Sequence, residues 1–220
     1  MMSEFGTVPR RAIAYAALPS GLSAASNLVY WMHGSQIQSL DIALFFLILS
    51  MWLLAAYLIA MLAIGERRSL AGFLRFLSAT TALVSPILLV FGAVLVLPKG
   101  WNSQVMIPVY VPLLLVGLAL LTLLPAWPIF QANSAKLVSP IRVAQATKGH
   151  RWTLWAVTFA SGSLGKLVPD IPASAGAATA ILTSLGHFVV NTAILILAVS
   201  VAVTAWRFAR EKDAVLAEAQ

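Results

Sequence analysis

The chain lacks cysteine and carries very little charge. Without cysteine, its 220 residues can form neither a disulfide scaffold nor a thiolate metal site. Charged residues make up 10% of the sequence, whereas a soluble domain carries about a quarter. Acidic residues number only seven, and none lies in the middle of an apolar segment. These shortages exclude a separate soluble catalytic domain, and they disfavour cation-coupled transport, which commonly uses a carboxylate at membrane depth.

Hydrophobic residues are abundant, at 60% of the chain. Because a membrane-spanning helix needs about 20 apolar residues, six segments are long enough. Four are strongly apolar and two are interrupted by serine, glycine or proline. We predict an all-α polytopic transmembrane helix bundle, a single membrane domain over residues 1–220, with spans at about 12–32, 42–65, 77–98, 107–130, 152–169 and 181–206.

The basic residues favour six spans over four. Lysine and arginine concentrate in short cytoplasmic loops. With four spans they divide 8 to 6 between the two sides, whereas with six spans all except Lys99 and Lys166 fall on one side, a ratio of 12 to 2. We therefore expect cytoplasmic N and C termini, a cytoplasmic basic loop at 131–151 and a cytoplasmic tail at 207–220. Arg10 and Arg11 before an apolar run also resemble the start of a signal peptide, but we expect a retained span.

One polar stripe stands out in the last span. Thr183, His187 and Asn191 share a helix face at a spacing of four residues. Because a polar stripe facing lipid would be costly, it should face other helices or a water-filled path. Interhelical hydrogen bonding is the simpler interpretation, and a substrate path is the alternative.

Catalytic and cofactor motifs are not evident. Ser161 could in principle act as a nucleophile with His187, but small residues spaced four apart, such as Ser161 and Gly165, favour helix packing. A bis-histidine haem would need a second histidine at the depth of His187, and His33 and His150 are predicted near opposite surfaces. We expect no enzyme activity, no cofactor and no metal.

The basic loop suggests contact with lipid. Its cations could bind anionic headgroups, and the candidates are Lys136, Arg142, Lys148 and Arg151. The net charge of +7 alone does not indicate nucleic acid, because no nucleic-acid-binding motif accompanies it. We expect a multi-pass protein of a bacterial inner (plasma) membrane. It would be a subunit or scaffold of an assembly, with a protein partner or a second copy. The alternative is a small transporter or channel with a polar path at His187 and Asn191.

Overall fold

The regular structure of the chain is helical. The structure, a computed structural model, describes residues 10–33, 38–96 and 103–218. Over these ranges there is no strand, and two short 3-10 helices lie at 148–150 and 164–167. The α-helices are α1 (Arg10–His33), α2 (Gln38–Ile64), α3 (Leu70–Val96), α4 (Ser103–Leu123), α5 (Trp127–Asn133), α6 (Pro140–Ala146), α7 (Arg151–Ser163), α8 (Ala177–Lys212) and α9 (Ala214–Glu218).

Four helices are long and apolar enough to cross a membrane: α1, α2, α3 and α8. The pair α4 and α5 adds a fifth candidate, bent by 59°. Large apolar side chains stay exposed along these helices, for example Phe45, Leu89 and Leu182. Hydrocarbon solvates such surfaces, whereas water does not. The chain is therefore an all-helical, multi-pass membrane protein.

The predicted spans agree with the structure in four places. The spans at 12–32, 42–65, 77–98 and 181–206 correspond to α1, α2, α3 and α8. Their bounds differ: α3 starts earlier, at Leu70, its predicted end at 97–98 lies outside the described residues, and α8 continues to Lys212. At about 1.5 Å per residue, the 36 residues of α8 extend about 54 Å, well beyond a hydrocarbon core of about 30 Å.

The span predicted at 107–130 is not one helix. It is interrupted at 124–126, between α4 and α5. Pro125 disfavours helical geometry at Leu124, and Pro128 occupies the first turn of α5, where its missing N–H costs nothing. Pro108 and Pro112 lie inside α4 without ending it. A proline alone therefore does not break the span. The break lies where prolines stand next to the start of another helix.

A sixth span at 152–169 is not confirmed. The helix α7 has 13 residues, about 20 Å, and a 3-10 turn follows it. Glycine and serine at 161–165 weaken the α-helix there, because glycine is a poor helix former and serine competes for backbone hydrogen bonds. This segment is shorter and less regular than the other spans.

Internal contacts divide the chain into two compact units. The first contains Met1–Arg68 and Ala156–Val201, and in it α1 packs along α2. Gly21 of α1 faces Phe188 of α8, since a Cβ added at Gly21 would lie 3.8 Å from the phenyl ring. Ser20 is fully buried and donates to the Ala16 carbonyl at 2.8 Å. The serine-containing face of α1 is thus packed against protein.

The second unit contains Ser69–Trp155 and Ala202–Gln220. In it α3 packs against both α4 and α5. Gly117 of α4 lies so close to α3 that an added Cβ would be 2.5 Å from Cγ1 of Ile87. Only glycine allows the two backbones to approach this closely.

Candidate functional site

A cleft in the first unit is lined by polar and aromatic side chains. It has a volume of about 320 Å³ and lies between α1, α8 and the segment 168–173 that precedes α8. We call it the α1–α8 cleft. Its lining consists of Asn27, Tyr30 and Trp31 from α1, Asp170, Ile171 and Ala173 from the connecting segment, and His187 from α8.

Two contacts hold the connecting segment on α8. The His187 ring nitrogen Nε2 lies 3.2 Å from the Pro169 carbonyl oxygen. Because a carbonyl oxygen only accepts, Nε2 carries the hydrogen, and in the neutral ring Nδ1 is then an acceptor. One residue earlier, Gly186 allows Val168 to approach, since an added Cβ would lie 3.3 Å from both Val168 methyl groups. These contacts hold the segment that carries Asp170 against α8, and Asp170 and His187 both line the cleft.

Two polar groups of the cleft have no partner. The Trp31 indole nitrogen Nε1 is buried and makes no hydrogen bond with any residue that the structure describes. The Asp170 side chain is exposed to the cleft and forms no ion pair or hydrogen bond with any residue in the described ranges. Among the residues that the structure describes, no lysine or arginine lines the cleft. The site therefore combines an uncompensated carboxylate with a buried, unused N–H donor.

The predicted stripe is only partly a site. Thr183, His187 and Asn191 are all half-buried, and of the three only His187 lines the cleft. The side chain of Asn191, expected to bond across the bundle, makes no hydrogen bond with the part of the chain that the structure describes. The three residues lie on one face of α8, as their spacing predicts. Only His187 among them lines the cleft.

Many hydroxyl groups of the apolar helices bond within their own helix, whereas that of Ser184 is buried without a partner among the described residues. The bonded hydroxyl groups donate to carbonyl oxygens three or four residues earlier in the same helix, as do those of Ser20, Thr80, Thr122, Thr192 and Ser200. Ser161 does the same, donating to the Val157 carbonyl at 2.6 Å. A serine nucleophile needs a base at its hydroxyl, and this hydroxyl is instead bonded to the backbone.

A second polar region lies in the second unit, where the predicted basic loop folds against the end of α8. We call residues 127–151 and 206–218 the basic cap. Its interior is closely packed, with Val143 and Ala209 fully buried and Leu216 2% exposed. The His150 ring stacks on Phe208 with centroids 3.9 Å apart, and the Arg210 guanidinium lies 4.6 Å from the Trp206 ring centre.

Side chains bond the turns of the cap. The Trp127 indole donates to the Val138 carbonyl at 2.8 Å. The Gln131 side-chain oxygen accepts from the Val138 N–H at 3.0 Å, and its amide donates to the Lys136 carbonyl at 3.2 Å. Arg75 of α3 donates to the Ser134 carbonyl. The loop is therefore a folded structure and more than a carrier of topogenic charge.

The four basic residues predicted to contact lipid have different roles. Arg142 pairs with Asp213 at 2.6 Å, and Arg151 donates to the Ala144 carbonyl at 2.8 Å. Lys136 and Lys148 are exposed, and neither side chain has a partner among the described residues. Two of the four are thus engaged inside the cap and two are available to headgroups.

Asp213 begins α9 and links it to α6. One carboxylate oxygen accepts from Arg142, and the other accepts from the backbone N–H groups of Val215 and Leu216. These bonds favour the ionised form, and the hydrogen bond from Arg142 is the largest cause that holds the pKa of Asp213 below its usual 3.8. The sequence alone gave only alternating charge at this position.

Within the described residues, no group of three or more histidine or acidic side chains could hold a metal ion. The fold and these two regions define an all-helical, multi-pass membrane protein with a polar cleft and a folded basic cap. Comparison with protein-family models, with curated proteins and with solved structures gave no match to this chain.

Proposed function

We propose that the protein is a non-enzymatic subunit or scaffold of a membrane assembly, held together by helix–helix packing. The observation that supports this most is the local use of hydroxyl groups along the apolar helices, for example at Thr80 and Ser200. A solute path would need polar groups turned toward a continuous wet route. The lining of the α1–α8 cleft includes His187 but not Thr183 or Asn191.

We further propose six crossings with both termini in the cytoplasm. Two side-chain pairs support this arrangement. Arg68, after α2, donates to the Tyr15 hydroxyl near the start of α1 at 2.7 Å. Arg142, in the basic loop, pairs with Asp213 in the tail. In the six-span arrangement both partners of each pair lie on the same, basic side, which the positive-inside rule assigns to the cytoplasm.

The sixth crossing would be formed by α7 and the 3-10 turn after it. Thirteen α-helical residues and four 3-10 residues extend about 28 Å, close to the thickness of a hydrocarbon core. Small residues in this segment suit packing against other helices, which irregular backbone at membrane depth requires. An even number of crossings returns the chain to the side where it began.

The proposed location is a bacterial inner (plasma) membrane. Exposed Lys136 and Lys148 would contact anionic headgroups at about 1 kcal/mol each. The proposed partner is another membrane protein or a second copy of this chain, since exposed apolar helix faces suit either.

Measurement of mass in mild detergent tests the scaffold proposal. The chain has a mass of 23.5 kDa, so light scattering corrected for detergent separates a monomer from an assembly. We expect an assembly of fixed stoichiometry that survives a second chromatography step, and no solute flux in proteoliposomes. A monomer that moves solute would contradict the proposal.

A small transporter or channel is the second candidate, because the cleft reaches His187 inside an apolar helix. Replacement of His187 by leucine separates the two functions. If the residue is structural, both assembly and the lack of flux persist, since a partnered polar group contributes only about 1 kcal/mol. Loss of a measured flux with normal assembly would favour transport.

A further inference from the structure

The α1–α8 cleft has hydrogen-bonding capacity that the described part of the chain does not use. Asp170 offers carboxylate oxygens without a cation, and Trp31 offers a buried N–H without an acceptor. A buried polar group without a partner destabilises the protein, because it has lost its hydrogen bonds to water. In a cleft of about 320 Å³, a small ligand would remove that destabilisation.

The hydrogen-bond donors and acceptors of the cleft indicate which kind of ligand it can bind. Asp170 and Nδ1 of His187 accept hydrogen bonds, whereas Trp31 donates one. The matching ligand therefore has a group with several N–H donors near an oxygen that accepts. Because the described lining carries a negative charge and neither lysine nor arginine, the donor group should be cationic.

The aromatic lining agrees with a cationic ligand. Tyr30 and Trp31 belong to the cleft, and tryptophan and tyrosine are the aromatic side chains that attract ammonium groups most strongly. A primary ammonium fits better than a quaternary one, because only the former can donate hydrogen bonds to Asp170 and His187. A metal ion fits less well, since among the described lining residues only Asp170 and His187 commonly ligate metals.

We propose that the α1–α8 cleft binds a small group that joins a primary ammonium to an oxygen acceptor, with Asp170 and His187 receiving the ammonium and Trp31 donating to the oxygen. The ethanolamine phosphate headgroup of a lipid and a free amine of the same pattern share this chemistry. The inference does not depend on the scaffold proposal, because a subunit and a transporter could each hold such a ligand.

Calorimetric titration tests the proposal on the full chain in nanodiscs of phosphatidylcholine. The probe is phosphoethanolamine, and phosphocholine serves as its quaternary counterpart. We expect phosphoethanolamine to bind at least about tenfold more tightly, since hydrogen bonds to charged groups are worth that factor or more. Absence of phosphoethanolamine binding, or equal binding of the two probes, would overturn the proposal.

Matched variants assign the binding to the cleft. Asp170→Asn should weaken phosphoethanolamine binding by about tenfold or more, and Trp31→Phe by several-fold. Glu66→Gln and Trp152→Phe remove a carboxylate and an indole N–H outside the lining and should leave binding unchanged. If Asp170→Asn binds like the unaltered protein, the site is elsewhere and the proposal is wrong.

A second set of nanodiscs identifies the source of the ligand. When phosphatidylethanolamine replaces part of the phosphatidylcholine, a site for the lipid headgroup is already occupied and apparent affinity for the soluble probe falls. A site for a free amine keeps its affinity. Either result supports an ammonium site, and the change in affinity shows whether the site binds the lipid headgroup or a free amine.

Discussion

The basic cap and the α1–α8 cleft differ in how far their polar groups are bonded to the chain, although the cap also buries two nitrogens, Asn133 Nδ2 and Arg151 Nε, without a partner among the described residues. In the cap, Gln131 satisfies two backbone groups, and Asp213 has both oxygens bonded. In the cleft, Asp170 and the Trp31 indole have no partner among the residues that the structure describes. Both regions are rich in aromatic and polar residues, so composition does not separate them.

This difference indicates that the cap stabilises the fold and that the cleft is available to bind a ligand. Polar groups that are satisfied internally make a region rigid and leave little capacity for binding. An unpaired polar group in a cleft does not stabilise the fold, and it remains available for a hydrogen bond to a ligand. Substitutions should therefore cost stability in the cap and binding in the cleft.

The largest effect is expected from Gln131→Leu in the cap. Gln131 is 7% exposed and bonds both Val138 N–H and Lys136 C=O. Leucine would leave these backbone groups unpaired, at a cost of about 2 kcal/mol in the free energy of unfolding. Denaturant titration in detergent measures the loss. Gln145→Leu is the control, because Gln145 is exposed, and an equal loss there would contradict the account.

Gly21→Leu should come next, at about 1–2 kcal/mol, because extra side-chain volume must displace Phe188 where α1 meets α8. Thermal unfolding in detergent measures the change. Gly21→Ala is the matched control, since its Cβ would make an ordinary contact at 3.8 Å. Unchanged stability of the leucine variant would show that α1 is not packed on this face.

A pair of aspartates compares the two regions directly. Asp213→Asn breaks the bond to Arg142, which is 45% exposed, so solvent screening limits the loss of stability to about 0.2–1 kcal/mol. Asp170→Asn should change stability by less than about 0.5 kcal/mol, because Asp170 has no partner in the described chain. Denaturant titration measures both losses, and a larger loss of stability for Asp170→Asn than for Asp213→Asn would contradict the account.

The smallest effect is a pH dependence of the cap. Because the folded pKa of Asp213 is lowered, its contribution to stability is present above the unfolded pKa of about 3.9 and is lost as pH falls through the folded value. Unfolding between pH 5 and pH 2 should therefore show less acid destabilisation in Asp213→Asn than in the unaltered chain. The exposed Glu218→Gln is the control and should retain the full dependence.

Sequence reasoning predicted the elements that depend on local composition. Uncharged runs near Phe45 and Leu195 predict helices that the structure contains, because about 20 apolar residues suffice to define a span. The break at Pro125 and the short α7 were missed. Both depend on where a new helix starts and how small residues pack, which hydropathy does not describe.

The candidate site could be predicted only in part. His187 was found because a polar residue in an apolar helix is conspicuous. Trp31 was not, since an indole near a helix end is typical of a membrane interface, and its lack of a partner requires coordinates. The cap was also missed, because the Arg142–Asp213 pair joins residues 71 positions apart.

Labelling of single cysteines tests most directly the proposed topology, in which α8 crosses the membrane and the basic loop is cytoplasmic. The chain has no native cysteine, so Ala135→Cys in the cap and Ser174→Cys before α8, both at exposed positions, can be labelled without background. In intact cells stripped of the outer membrane, a membrane-impermeant maleimide should modify Cys at 174 at once and Cys at 135 only after lysis. Modification of both from the same side would contradict the account.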